Sequence, residues 1–352
     1  MWRTWKFCDG LLDRCCEGGS FTFAELFAGI GGFRIGLESI GGSCVFACEI
    51  EPFTRKLYTT NFGNQPAVAG DICEVHASDI PPHDILVAGF PCQPFSSLGT
   101  QPAFDDDRGL LFREIVRVLD AAKPCSFLLE NVPGLLRCDE GKVLQTIKEE
   151  LSEAGYDVLV ETVNAKHFTA QARKRVFFIG FRRPSQCAEA FQIPELPDMC
   201  IRAEDVLQSE AEVRSSGLLE DYTLSDEQFL RLQDSSKWAR RGGMTSTLAW
   251  GDKVCDTLVG HYGKTIRKGN SQLVPRPAPF KPRRFTPREC ARLMGFPNSF
   301  KLTERNGEEP GMWFRALYKM FGNSVSPPVV AVLAGAILES SQQSSGEAGL
   351  CD

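Results

Sequence analysis

The sequence has no C-x-x-C pair and only four histidines. Zinc-organised folds hold their metal with thiolates and imidazoles at such short spacings, so that class is excluded and no metal is expected. Fourteen cysteines are present among 352 residues. Disulfide frameworks belong to small secreted chains, so these cysteines read as small buried hydrophobes kept reduced. Cys44 and Cys48 flank an apolar run and are expected on one face of a strand. Long apolar runs are also lacking. "VVAVLAGAIL" (329–338) is the longest, and a bilayer needs about 20 residues. The N-terminal "MWRTWKFCDGLLDRCC" has no apolar signal core, and no internal repeat is visible. The expectation is a soluble intracellular protein without membrane contact, nuclear in a eukaryote or cytoplasmic in a bacterium.

Net charge is −6, which by itself argues against a polyanionic partner. Its distribution argues the other way. Residues 186–236 hold three arginines and twelve acids, whereas residues 237–288 hold twelve Lys and Arg and two acids. A basic block dotted with glycine suits a phosphate backbone, or equally a solvated face.

Strand-like and helix-like segments alternate over residues 21–182. "FTFAELF", "SCVFACE", "HDILVAG" and "SFLLENV" read as strands. "GGFRIGLESI", "PFTRKLYTTNF", "RGLLFREIVRVLDAA" and "GKVLQTIKEELSEAG" read as helices. This order predicts an α/β fold with a mostly parallel sheet. "YDVLVETVNA" and "RVFFIGF" follow each other without a helix and predict an antiparallel edge pair. The expected organisation is an N-terminal extension (1–20), a catalytic and cofactor-binding domain (21–184), a smaller irregular domain (185–282), a segment returning to the first domain (283–339) and a disordered tail (340–352). Thr-Pro and Ser-Pro pairs open two helices in the returning segment.

In "ELFAGIGGFRIGL" (25–37), Gly29, Gly31 and Gly32 form a tight turn between strand and helix, where a ligand can approach backbone. Arg34 occupies the third glycine position of the dinucleotide fingerprint, which disfavours a pyrophosphate ligand. Glu49 ends the second strand, where an acid commonly holds ribose hydroxyls. With Asp71 it describes a cofactor containing adenosine. Cys92 in "GFPCQPFSS" follows the fourth strand between Pro91 and Pro94, and Glu130 in "LLENVPG" ends the fifth behind four apolar residues. A thiol and a carboxyl at one sheet edge form a catalytic pair. In "QARKR" (171–175), Gln171, Arg173 and Arg175 alternate, so on an extended chain they share one face suited to a base or a phosphate.

"FAGIGGF", "GFPCQPFS", "ENV", "QARKR", "RRFTPRECARLMGFP" and "MFGNSVSPPV" occur in this order. Together they resemble the signature segments of the cytosine-C5 methyltransferases that use S-adenosylmethionine. The resemblance covers Phe23 to Leu338 and implies a Rossmann-like methyltransferase fold with an inserted target-recognition domain. It also implies methyl transfer to cytosine C5 in duplex DNA by a monomer. By resemblance Cys92 is the nucleophile that adds to C6, and Glu130 binds the ring. Arg173 and Arg175 help fix the base and the catalytic loop, and Arg175 is the better candidate for the O2 side. Phe27, Gly29, Gly31, Glu49, Ile50, Asp71, Ile72, Pro91, Leu111, Asn323 and Ser324 are the implied cofactor residues. Ile50 stands where some members have an aromatic, so apolar packing remains without stacking. Gln93, Ser96 and Arg108 lie in or near a segment (96–109) resembling the family's mobile loop, and are expected to touch DNA. So are Thr257 and Leu258, which resemble a typical Thr-Leu pair, and Lys264, Arg267 and Lys268 as phosphate contacts. Three rivals stand beside this reading: the same reaction on transfer RNA, a catalytically silent nucleic-acid binder, and a dinucleotide oxidoreductase. The Cys-Phe-Thr segment usual in the RNA branch is missing from the target region.

Overall fold

A computed structural model of the chain describes residues 20–91, 109–233, 253–263, 272–302 and 310–347. Two compact units emerge from its contacts. One, the sheet unit, comprises the described residues from 20 to 164, Lys174–Leu196 and those from 325 to 347. The other, the second unit, is built mainly from Ala165–Arg173 and Pro197–Ser324.

The sheet unit carries seven strands in the order β3-β2-β1-β4-β5-β7-β6. They are β1 (Phe21–Leu26), β2 (Gly42–Cys48), β3 (Val68–Ala69), β4 (Ile85–Gly89), β5 (Ser126–Asn131), β6 (Tyr156–Asn164) and β7 (Lys174–Arg182). The first five are parallel. The expected antiparallel pair of β6 and β7 is present, but β7 lies inside the sheet between β5 and β6 and is antiparallel to both. Chain order reverses between β1 and β4, and ligands bind at such a switch point beyond the carboxyl ends of the strands. Because β7 is antiparallel, its first residues share that edge with the last residues of β5.

Alternation along the strands builds the core. Ala24 and Leu26 of β1, Leu86 and Ala88 of β4, and Phe127 and Leu129 of β5 face α3 (Gly109–Ala122) and α4 (Lys142–Glu153). In α3 the spacing of Phe112, Ile115, Val118 and Leu119 makes one apolar stripe, fully buried. Two other helices are α1 (Gly32–Glu38) and α2 (Pro52–Phe62). Tyr58 of α2 packs against Ala28 and Ala47.

Cys44 and Cys48 do not share a face, contrary to expectation. The β1–β2 register slips by one residue between Phe23 and Ala24. An extra residue in one strand inverts the side-chain alternation beyond it. Cys44 therefore packs beside Tyr58, and Cys48 enters the main core.

Arg34 is spared the role of a third glycine because helix approach is achieved elsewhere. Its guanidinium stacks over Phe62, 4.7 Å from the ring centroid, and bonds Glu38 and the Tyr58 hydroxyl. Close packing falls to Gly36, where a Cβ would lie 2.7 Å from both the Pro327 carbonyl and Val330 of the C-terminal helix.

The second unit contains short helices and two long-range devices. Here α5 (Pro287–Leu293) starts with a full capping box, Thr286 to Glu289. Glu289 also receives two bonds from Arg283, at 2.7 and 2.8 Å, with both side chains buried. Next comes α6 (Pro310–Asn323). Its Tyr318 hydroxyl donates to the Phe285 carbonyl. Back in the sheet unit, α7 (Pro327–Glu347) continues through part of the tail expected to be disordered. Ser340 and Ser341 both return their hydroxyls to the Ile337 carbonyl, just before the apolar portion of the helix ends. Gly311–Gln343 is apolar and long enough by composition to cross a membrane, but 89% of its most apolar window is buried in the protein.

Candidate active site

Phe27 leaves β1 with φ of 52°, Gly29 follows at 57° and Gly31 at 83°. At Gly31 a Cβ would lie 2.2 Å from the Phe62 ring, so glycine is enforced by both backbone and packing. At Gly29 a Cβ would meet nothing nearer than the Phe27 carbonyl oxygen at 4.0 Å. The same turn therefore has one glycine pressed on the fold and one facing away from it.

Glu49 is held at the end of β2 from both sides. One carboxylate oxygen accepts from the Gly29 N–H at 2.8 Å and the other from the Glu51 N–H at 2.9 Å. Arg55 donates to the Glu49 and Ile50 carbonyls and fixes the turn. Ile50 is 59% exposed, unusual for a large apolar residue. Asp71 accepts from the Cys73 N–H and caps a short 3₁₀ turn, Ile72–Glu74. Carboxylate, bare glycine backbone and an uncovered isoleucine beyond the carboxyl ends of β1 and β2 fit the adenosine portion of S-adenosylmethionine. Phe27 and Leu111 are half-buried against the main core, and Pro91 is exposed. The Ile72 side chain is buried in the core, and its carbonyl accepts from Arg117 and from the Val75 N–H.

Beneath this turn lies a buried polar group. Glu25 of β1 accepts from the Tyr58 hydroxyl at 3.0 Å, and Arg34 reaches the same hydroxyl. Burial pushes the Glu25 carboxyl up to about 8, against the lowering influence of Tyr58 and Arg34. Burial likewise raises Tyr58, and Cys44 is pushed up to about 12 by burial and by Glu25.

At the end of β5, Glu130 is only 7% exposed. Its Oε1 contacts Arg175 Nε at 2.9 Å. Its Oε2 lies 3.8 Å from where a Gly89 Cβ would stand, so the glycine ending β4 leaves room beside the carboxylate. Asn131 holds backbone beside Glu130 and was missed in the sequence. It is buried, its amide donates to the Phe90 carbonyl at 3.2 Å, and its oxygen accepts from Val132 N–H at 2.8 Å. It thus ties β5 to the chain leading into Cys92. Its place inside "ENV", next to an acid at a strand end, was the available signal.

Cys92, Gln93, Ser96, Arg108, Lys264, Arg267 and Lys268 lie outside the described residues. "QARKR" does not form one extended face. Gln171 and Arg173 belong to the second unit and Arg175 to the sheet unit. Arg173 is 2% exposed and donates to the carbonyls of Leu258 (2.9 Å), Gly322 (2.9 Å) and Ser324 (2.7 Å). Gln171 accepts from Leu258 N–H and donates to the Leu293 carbonyl. Both side chains hold backbone, so the expected base contact by Arg173 is replaced by a structural clamp. Thr257 gives its hydroxyl to the Ala172 carbonyl and Leu258 is buried, so the Thr-Leu pair serves the same clamp. Ser324 is buried, and Asn323 rests against Gly260 within the second unit. Among the described residues no cluster of His, Cys, Asp and Glu could hold a metal.

A family profile described as C-5 cytosine-specific DNA methylase matches residues 21–339. The Type II methyltransferase M.DsaV of Dactylococcopsis salina is 36% identical over 327 residues, covering 92% of this chain and 87% of its own. M.HhaI of Haemophilus parahaemolyticus is 34% identical over 319 residues, covering 89% and 92%. The S. pombe Dnmt2 methyltransferase shares the fold, with a TM-score of 0.68 at 22% identity over 91% of this chain and 98% of that one.

Proposed function

This chain belongs to the C-5 cytosine-specific DNA methylase family, and from that premise we propose how its residues divide the reaction. The chain methylates cytosine at C5 in DNA and uses S-adenosylmethionine as methyl donor. The observation that carries the division of roles is the Glu130–Arg175 pair at the carboxyl edge of the sheet, beside Gly89.

Cytosine C5 is a weak nucleophile. The thiolate of Cys92 adds to C6, and the C5–C6 π electrons move onto C5. S-adenosylmethionine supplies the electrophilic methyl group that C5 takes. The C5 proton then leaves to solvent, the C6–S bond breaks and the double bond returns. The polar edge of the base offers an acceptor at O2 and a donor at the exocyclic amine. Arg175 and Glu130, held against each other, present the complementary donor and acceptor. Glu130 further stabilises positive charge at N3 while electron density builds on C5. Asn131 keeps the Phe90 carbonyl, and so the lead into Cys92, in register with Glu130. Gly29, Glu49, Ile50 and Asp71 hold the donor, with Phe27, Pro91 and Leu111 at the border of its site. C6 of a base stacked in the duplex is out of reach of an enzyme side chain, so the target leaves the duplex. The chain acts as a monomer.

The test is covalent trapping on a duplex with 5-fluorocytosine at the target, read by denaturing gel. The fluorine cannot leave as a proton does, so the wild type stays attached when S-adenosylmethionine is present, whereas Cys92→Ala gives no adduct. Failure of the wild type to trap, or an adduct that survives Cys92→Ala, overturns the mechanism. A parallel methyl-incorporation assay on duplex DNA and total transfer RNA places label on DNA; label on transfer RNA alone overturns the substrate.

A further inference from the structure

A polar cavity lies entirely within the second unit. It has a volume of about 420 Å³ and is lined by Gly260, His261, Gly263, Arg315, Ala316, Lys319 and Asn323. Arg315, Lys319 and Asn323 recur at four-residue spacing and are exposed, so they form one stripe on the outer face of α6. The opposite face of the helix, with Phe314, Leu317, Tyr318 and Phe321, is buried.

The wall facing that stripe is the turn 259–263, and the fold brings it unusually close. A Cβ on Gly322 would lie 2.3 Å from the Gly260 nitrogen, and one on Gly260 would lie 2.6 Å from the Asn323 side-chain oxygen. Neither position tolerates a side chain without moving backbone or Asn323. Gly263 lets the Arg315 stem pass, since a Cβ there would lie 3.1 Å from Arg315 Cγ. The turn is also anchored. Buried Tyr262 donates to the Gln272 carbonyl, accepts from the Phe285 N–H and meets Tyr318 edge-on at 5.0 Å. His261, its neighbour, remains exposed. The result is a groove with two cations, an imidazole and an amide, and no acid among its described lining residues.

We propose that this groove binds one phosphodiester of the DNA backbone, with Arg315 and Lys319 as its charged contacts. The inference rests on the reading of this chain as a DNA methylase and adds a contact to it. A fork-shaped guanidinium and an ammonium one helical turn apart suit the oxygens of a single phosphate. Backbone phosphates carry no sequence information, so the groove sets register along the duplex and leaves base choice to other residues.

The test measures DNA binding as a function of salt for the full-length wild type and the double variant Arg315→Gln, Lys319→Gln. Loss of one phosphate contact reduces the slope of log K against log salt by about 0.9. Between 50 and 200 mM salt the variant then loses about 3.5-fold less affinity than the wild type does. The reduction is equal on target and non-target duplexes. S-adenosylmethionine binding, followed by calorimetry, reports that the variant is folded. An unchanged slope in a folded variant overturns the proposal, as does weakening confined to the target sequence. If 10 mM inorganic phosphate abolishes the difference between the proteins at constant ionic strength, the groove is a free-anion site and the proposal is likewise overturned. Wild-type methylation of DNA is scored separately, so its absence would refute the methylase reading without being confused with the groove.

Discussion

Replacing Glu25 with glutamine should remove a specific pH dependence of stability. Glu25 is fully buried on β1, directly before the glycine turn. Its carboxyl is pushed from an ordinary 4.5 to about 8, burial outweighing the Tyr58 hydrogen bond and Arg34. An acid raised on folding keeps its proton in the folded state where the unfolded chain has lost it. Stability from this group is therefore complete below the unfolded value near 4.5 and declines as pH rises toward 8. Between pH 5 and pH 8 the loss amounts to about 3.5 kcal/mol. For a unit of this size that is a fall in Tm of about 7–14 °C. Glu25→Gln retains an oxygen for the Tyr58 hydroxyl and cannot ionise. Thermal unfolding at pH 5, 6, 7 and 8, scored as the difference in slope between the two proteins, isolates Glu25 from every other titrating group. Parallel curves would refute the reasoning, whatever the absolute stability of the variant.

Gly31→Ala should fail to fold or bind no S-adenosylmethionine, since its Cβ meets Phe62 at 2.2 Å with φ at 83°. Gly29→Ala should fold with a penalty of about 1–2 kcal/mol and weaken cofactor binding, as calorimetry will show. Arg173→Ala leaves three buried carbonyls without their donor and should destabilise the protein by at least about 3 kcal/mol in urea unfolding. Asn131→Leu frees the Phe90 carbonyl and should lower kcat on the order of 10- to 100-fold at unchanged KM for S-adenosylmethionine, by steady-state methyl transfer.

The strands and helices of the sheet unit were legible because their apolar periods are clear and their ends carry Gly, Pro and Thr signals. Two features escaped. The bulge in β2 reverses side-chain parity without any glycine or proline to announce it, so Cys44 was placed on the wrong face. The position of β7 inside the sheet depends on long-range pairing that no local pattern records. At the site, the places of Glu49 and Glu130 at strand ends could be read because the apolar runs before them are clear. Arg173 could not. An alternating Gln-x-Arg-x-Arg looks like one polar face, and only the tertiary structure shows that the first two residues grip carbonyls while Arg175 meets Glu130. "RRFTPREC" shows the converse: its charged Arg283 and Glu289 form a buried strut and a helix cap rather than chemistry.

The grip of Gln171 and Arg173 has a consequence for how such a protein can diversify. Their partners are main-chain groups of Leu258, Leu293, Gly322 and Ser324, which every amino acid supplies. Side chains in the segments they hold can be replaced by mutation or by grafting without losing the attachment. The glycines of the 259–263 turn and Gly322 are the exceptions, because their space is already filled. Selection for a new target can thus work on a surface whose mounting is indifferent to sequence, while the mounting itself stays under separate constraint.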